Sequence, residues 1–202
     1  KALCGVEGFI PEWFCFVYVS FYNIESAVRV CREFRCPADW DEDFFADMRE
    51  SEQWKFGHER RGTQRNVDRM VAHLNEAKEL IDTIHLGQSG LMEFDLGFFD
   101  SNRSFRDKLE SMTNVGGWAA FKIAELFEKT CGHKQLNIPD LGLDGRNPNK
   151  NDGPVSGARW IFGRDEVFDK DWFPVWNDFG QKLADAWGVG MGEVETCLCK
   201  FH

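Results

Sequence analysis

Residues 109–127, LESMTNVGGWAAFKIAELF, constrain the fold more than any other stretch of this 202-residue chain. Two apolar-periodic runs flank a short polar turn, Asn114-Val115-Gly116-Gly117, and the second run sets Ala119, Ala120, Ile123 and Leu126 at helical spacing. Paired glycines let a backbone turn where a Cβ would obstruct it. The segment therefore predicts two helices joined by a tight turn, a hairpin over residues 105–128. The same glycines would also serve an αα-hairpin in which they only permit close packing.

The rest of the chain agrees with a mostly α fold. Residues 9–35 read as two helices, the first heavily aromatic from Trp13 to Tyr22, the second ending at Cys36-Pro37 because proline disfavours helix in the residue before it. Asp39 to Arg49 reads as a short acidic helix with Phe44, Phe45 and Met48 on its inner side. From Arg65 to Ile84 the positions Val67, Met70, Val71, Leu74, Ala77, Leu80 and Ile81 give the clearest amphipathic helix. Trp172 to Trp187 is a further helix, broken at Gly188 to Gly192 before a short last one carrying Glu195 to Lys200. Residues 136–160, punctuated by glycine and proline without a helical period, read as one long loop, and loops of that length are usually functional. We expect a single helical domain over residues 1–202.

Eight Trp and nineteen Phe give such a domain ample apolar mass, and a charged fraction of 29% argues against disorder. No apolar run approaches the ~20 residues that span a bilayer. The beginning of the chain lacks the basic-then-apolar pattern of a signal peptide, so no membrane partner is expected and the expected location is the cytoplasm. Seven scattered cysteines do not form a secreted disulfide framework. Cys197-x-Cys199 is at most half of a metal site with no second pair nearby, and the four-cysteine spacing of an iron–sulfur cluster is missing, so no metal is expected. There is no Gly-Lys-Ser/Thr phosphate loop and no dinucleotide fingerprint, which argues against nucleotide hydrolysis. A net charge of −10 requires any DNA-binding cations to be concentrated locally, or supplied by a partner.

The densest basic cluster is His58-Glu59-Arg60-Arg61-Gly62-Thr63-Gln64-Arg65-Asn66, where a loop meets the start of the long helix. Guanidinium forks bind phosphate oxygens two at a time, and a helix start adds amides and its positive end. Ion pairing with the surplus carboxylates is the ordinary alternative for Arg60 and Arg61. Asp152 to Arg159 could wrap a phosphate through backbone N–H groups, with Gly153, Ser156 and Gly157 lining it and Arg159 closing it, or could be a surface connector. Tyr18 and Tyr22 share a helical face and read as core-edge aromatics or as stacking platforms for a base. Exposed amides after the hairpin turn form a site for one DNA phosphate, which positions a duplex without reading its sequence.

Asp140 follows Gly117 by 23 residues, after one helix and a loop. That order resembles the helix-hairpin-helix DNA glycosylases, in which an aspartate at similar spacing faces a flipped nucleotide. Taken together, HERRGTQRN, NVGGWAAFKIAEL, DGPVSGARWIF and the terminal GEVETCLCKF look like the α-glutamyl/putrescinyl thymine pyrophosphorylases, the amino acid:DNA transferases of bacteriophage thymine hypermodification. The resemblance runs over most of the chain and implies a helix-hairpin-helix DNA glycosylase-like core.

It also implies a reaction. An amine, from glycine, glutamate or putrescine, displaces pyrophosphate from 5-(pyrophosphoryloxymethyl)uracil in double-stranded DNA. Arg60, Arg61 and Arg65 would then hold the leaving pyrophosphate, with His58, Gln64, Gly153, Ser156, Gly157 and Arg159 around it. Asp140 would be the base or the anchor of the substrate ammonium. Asn114, Val115, Gly116, Gly117, Trp118 and Lys122 would grip DNA. The chemistry requires no cofactor, although a divalent cation on the pyrophosphate would be compatible with it, and other phage DNA-modification enzymes are natural partners. Two readings compete: a DNA N-glycosylase, and a non-catalytic DNA-binding module of a phage modification enzyme.

Overall fold

The computed structural model describes residues 8–51, 53–57, 67–86, 102–133, 141, 153–162 and 173–200. Among these residues every regular element is a helix, which bears out the mostly α class. The chain divides into two compact units, residues 1–136 and 137–202.

The first unit is organised around α1 (Pro11–Phe21). Proline at its first position costs no hydrogen bond, because that N–H has no helical acceptor. Trp13, Cys15, Phe16, Val17, Val19 and Phe21 are all fully buried, so this helix is apolar around its circumference and must lie inside. Burial of Phe16 and Phe21 contributes about 1.5–3 kcal/mol each. The indole N–H of Trp13 donates to the Phe34 carbonyl at 2.8 Å, which fixes α2 (Ile24–Glu33) beside it. Asn23 caps α2 by accepting from the Ser26 amide at 3.1 Å. After a short 3-10 turn at Pro37–Asp39, α3 (Glu42–Ser51) brings Phe45 against Trp40, with ring centroids 5.1 Å apart.

The long amphipathic helix is α4 (Val67–Leu86), close to its expected bounds, with Met70, Leu74, Ala77, Leu80 and Ile81 in the core. α5 (Asn102–Glu110) and α6 (Gly117–Leu126) follow and pack on one another across the 111–116 turn. α6 runs into one π-helical turn, Phe127–Cys131, ended by Gly132 at φ +81°. α1 contacts α2, α4, α6 and the π turn, so it holds the hairpin's second helix directly.

The second unit contains α7 (Gly153–Phe162), α8 (Phe173–Trp187) and α9 (Met191–Leu198), with α9 packed on both others. Residues from Gly153 onward were expected to belong to the long loop, and instead they are helical. The reason is tertiary: with Val155 and Ala158 buried and Gly153 and Gly157 against α9, the helix is stabilised by a surface that no local pattern reveals. The earlier part of the expected loop lies outside the described residues apart from Leu141, whose amide donates to Asn177 Oδ1 at 3.0 Å. No described helix is long and apolar enough to cross a membrane.

Candidate nucleic-acid interface

The turn between α5 and α6 closes through local backbone bonds. Ser111 N–H reaches the carbonyls of Asp107 and Lys108 at 3.1 and 3.2 Å, Met112 N–H reaches Leu109 at 3.0 Å, and Val115 N–H reaches Met112 at 3.2 Å. Asn114 sits in the left-handed region at φ +63°, a conformation asparagine tolerates better than most residues with a Cβ. Val115 points inward, 6% exposed, and pins the turn to the core.

A carboxylate from α4 then fastens the turn. Glu76 accepts the Thr113 amide on one oxygen and the Thr113 hydroxyl on the other, both at 2.6 Å. This two-pronged contact spans 37 residues of sequence and fixes where the following amides point.

Those amides belong to the start of α6. The first helical bond is Ala120 N–H to the Gly116 carbonyl at 3.0 Å, so the amides of Gly116 and Gly117 precede the helical ladder. No side chain caps them, and the first turn contains no acidic residue. α9 differs: Glu193 reaches back to accept from the Gly190 amide at 3.0 Å. A Cβ on Gly116 would meet nothing within 4 Å, so packing does not demand this glycine. It leaves a bare, positively polarised helix end facing open space.

An open pocket of about 540 Å³ lies at this end, lined by Ser111, Met112, Thr113, Asn114, Val115 and Gly116 of the turn and by Arg69 of α4. A guanidinium beside uncapped amides suits a phosphate oxygen. Sequence reasoning missed both Arg69 and Glu76. Arg69 stands four residues after Arg65, and a helical count continued from the basic cluster would have found it. Nothing local marks Glu76, since its partner is remote in sequence.

Trp118 leaves the turn on the other side and meets Tyr22 edge to face, with centroids 4.8 Å apart. Tyr22 contacts Tyr18 at 5.4 Å, and Tyr18 stacks on Phe14 at 6.1 Å. Phe14, Tyr18, Tyr22 and Trp118 are all half-buried, forming one aromatic row that ends at the hairpin. Lys122 is less open: its ammonium pairs with Glu125 at 2.8 Å and lies 5.4 Å from the centre of the Phe121 ring.

In the second unit, Gly153 and Gly157 have a steric role. A Cβ on Gly153 would stand 2.7 Å from Cys199 Sγ, and one on Gly157 would overlap the Leu198 carbonyl oxygen. Close approach of α7 to α9 thus accounts for both. Ser156 and Arg159 are half-buried on the same helix. Glu195 is fully buried on α9 and accepts from Cys199 Sγ at 3.3 Å, while Cys197 faces outward. His58, Arg60, Arg61, Gln64, Arg65 and Asp140 lie outside the described residues.

Residues 13–202 match the protein family described as amino acid:DNA transferase. The chain belongs to the amino acid:DNA transferase family. Searches of curated proteins and of solved structures give no match. Family membership makes this a transferase acting in DNA modification, with DNA and an amino acid as its substrates in general. The hairpin is therefore a candidate contact with the nucleic acid in a protein whose family already requires one.

Proposed function

We propose that this amino acid:DNA transferase acts on double-stranded DNA carrying 5-(pyrophosphoryloxymethyl)uracil and replaces the pyrophosphate with a small amine such as glycine, glutamate or putrescine. A C–N bond forms at the exocyclic methylene carbon as the C–O bond breaks, and pyrophosphate leaves with the electron pair. The amine is protonated and inert at neutral pH, so a base must first take its proton. Asp140 has that role, or anchors the ammonium.

The leaving group is a polyanion, and cations preorganised around it stabilise the charge that builds on the departing oxygen. Arg60, Arg61 and Arg65 serve this purpose, with His58, Gln64, Ser156 and Arg159 as supplementary donors; packing already accounts for Gly153 and Gly157. The base lies within a stack, so the reacting nucleotide is rotated out, and the aromatic row from Phe14 to Trp118 suits contact with bases. The observation that carries the DNA side of this reading is the uncapped Gly116-Gly117 helix start, with Arg69 beside it and Glu76 holding it in place. Asn114, Val115, Trp118 and Lys122 surround or support that grip.

The decisive experiment incubates the protein with pyrophosphoryloxymethyluracil DNA and a panel of amines, then digests the DNA and weighs the nucleosides. An adduct heavier by the amine, with free pyrophosphate released in equal amount, is expected. Abasic sites would make the protein a glycosylase, and unchanged but bound DNA would make it a binding module. Asp140→Asn should abolish the adduct while leaving duplex binding intact. Arg60→Ala and Arg61→Ala should lower turnover more than binding, and equal loss of both would refute their assignment to pyrophosphate.

A further inference from the structure

Three side chains of ligand type, Glu12, Cys131 and His133, converge in the first unit away from the hairpin turn, and Cys15 lies beside one of them. Glu12 and Cys15 are three apart on α1 and so share one of its faces. Cys131 closes the π turn that continues α6, and His133 follows one residue after Gly132. The left-handed Gly132 folds the chain back so that the His133 amide bonds the Phe127 carbonyl at 3.2 Å, which carries the imidazole towards α1. π turns of this kind occur preferentially at functional sites.

The ligand atoms of Glu12, Cys131 and His133 all lie within 4.8 Å of one another. His133 Nε2 is 2.6 Å from Glu12 Oε1, and both residues are 8% exposed. Cys15, fully buried, brings its Sγ to 3.7 Å from Cys131 Sγ, with 116 residues of sequence between them.

We propose that Glu12, Cys131 and His133 bind one zinc ion, filling three positions of a tetrahedron and leaving the fourth open. One thiolate, one imidazole and one carboxylate make a set that favours zinc over magnesium or calcium, which prefer oxygen. Cys131 is partly exposed and gives the ion a way in, while the other ligands are buried. The ion displaces the Cys131 thiol proton on binding. The site staples α1 to the far end of the helix whose other end carries Gly116 and Gly117, and so holds the hairpin's second helix in place. No sequence spacing discloses it, because Glu12 stands more than a hundred residues before Cys131-x-His133.

The test is elemental analysis of the full chain, purified without a polyhistidine tag under reducing conditions after growth with added zinc. About one zinc per chain is expected, falling roughly tenfold or more in Cys131→Ser and His133→Ala and unchanged in Cys197→Ser. Since the first two variants could fail to fold, cobalt(II) exchanged into the unaltered protein provides an independent reading. Intense visible bands of tetrahedral cobalt with thiolate charge transfer support the site. Less than about 0.1 zinc per chain, a six-coordinate cobalt spectrum without thiolate bands, or a Cys15–Cys131 disulfide in the freshly purified protein would overturn it.

Discussion

Two pairs of glycines looked alike in the sequence, and the space around each separates them. Gly157 is glycine because the Leu198 carbonyl occupies the place of its Cβ, whereas Gly116 has nothing within 4 Å of that place. Overpacking against a backbone atom costs about 1–3 kcal/mol, so Gly157→Ala should lower unfolding stability by that much in a urea titration. Gly116→Ala should cost less than about 1 kcal/mol, the difference between glycine and alanine at a helix N-cap. Its effect should fall instead on duplex affinity, because the methyl group stands before the open amides. Nanomolar-to-micromolar titration of both variants against the same duplex would decide: if Gly157→Ala weakens binding more than Gly116→Ala at matched folded fraction, the two glycine roles are reversed. The left-handed Asn114 belongs to the same logic, since the turn selected a residue that accepts positive φ at small cost.

At the scale of elements, α4 does two things for the hairpin. Its core face carries Met70, Leu74, Ala77, Leu80 and Ile81, and the apolar period made that legible. Its other contributions, Arg69 and Glu76, depend on where the α5–α6 turn lands, which periodicity does not encode. Hydrogen bonds to a charged group are worth about 1.5–3 kcal/mol when buried and less in this half-buried setting, so Glu76→Ala should destabilise by about 1–2 kcal/mol. It should also speed hydrogen exchange of the Thr113 amide, and an unchanged exchange rate there would remove Glu76 as the clamp. Arg69→Ala should lower the slope of log affinity against log salt by about one phosphate's worth, with every duplex sequence affected alike. A slope identical to that of the unaltered protein would show that Arg69 makes no phosphate contact. The helix starting at Gly153 is the complementary lesson: glycine and proline suggested a loop, and packing against α9 made a helix.

For the molecule as a whole, the net charge of −10 sets how DNA can be held. With few cations at the contact, the log–log salt slope for unmodified duplex should stay between about −1 and −4. A slope near −8, measured by fluorescence anisotropy from low to physiological salt, would require a broad basic surface instead. By itself the sequence determined the helical class, the approximate bounds of the main helices, the helix–turn–helix over the Asn114–Gly117 turn, and the family, because each rests on short-range periodicity, turn chemistry or contiguous motif strings; that the left-handed residue is Asn114 and not a glycine came from the structure. The tertiary structure alone decided the division into two cores, the Glu76 clamp, the Arg69 pocket, the steric demand at Gly157 and the Glu12–Cys131–His133 cluster. All of these are meetings between residues distant along the chain, and such meetings are fixed by how apolar faces close over one another, a result that no local spacing of residue types carries.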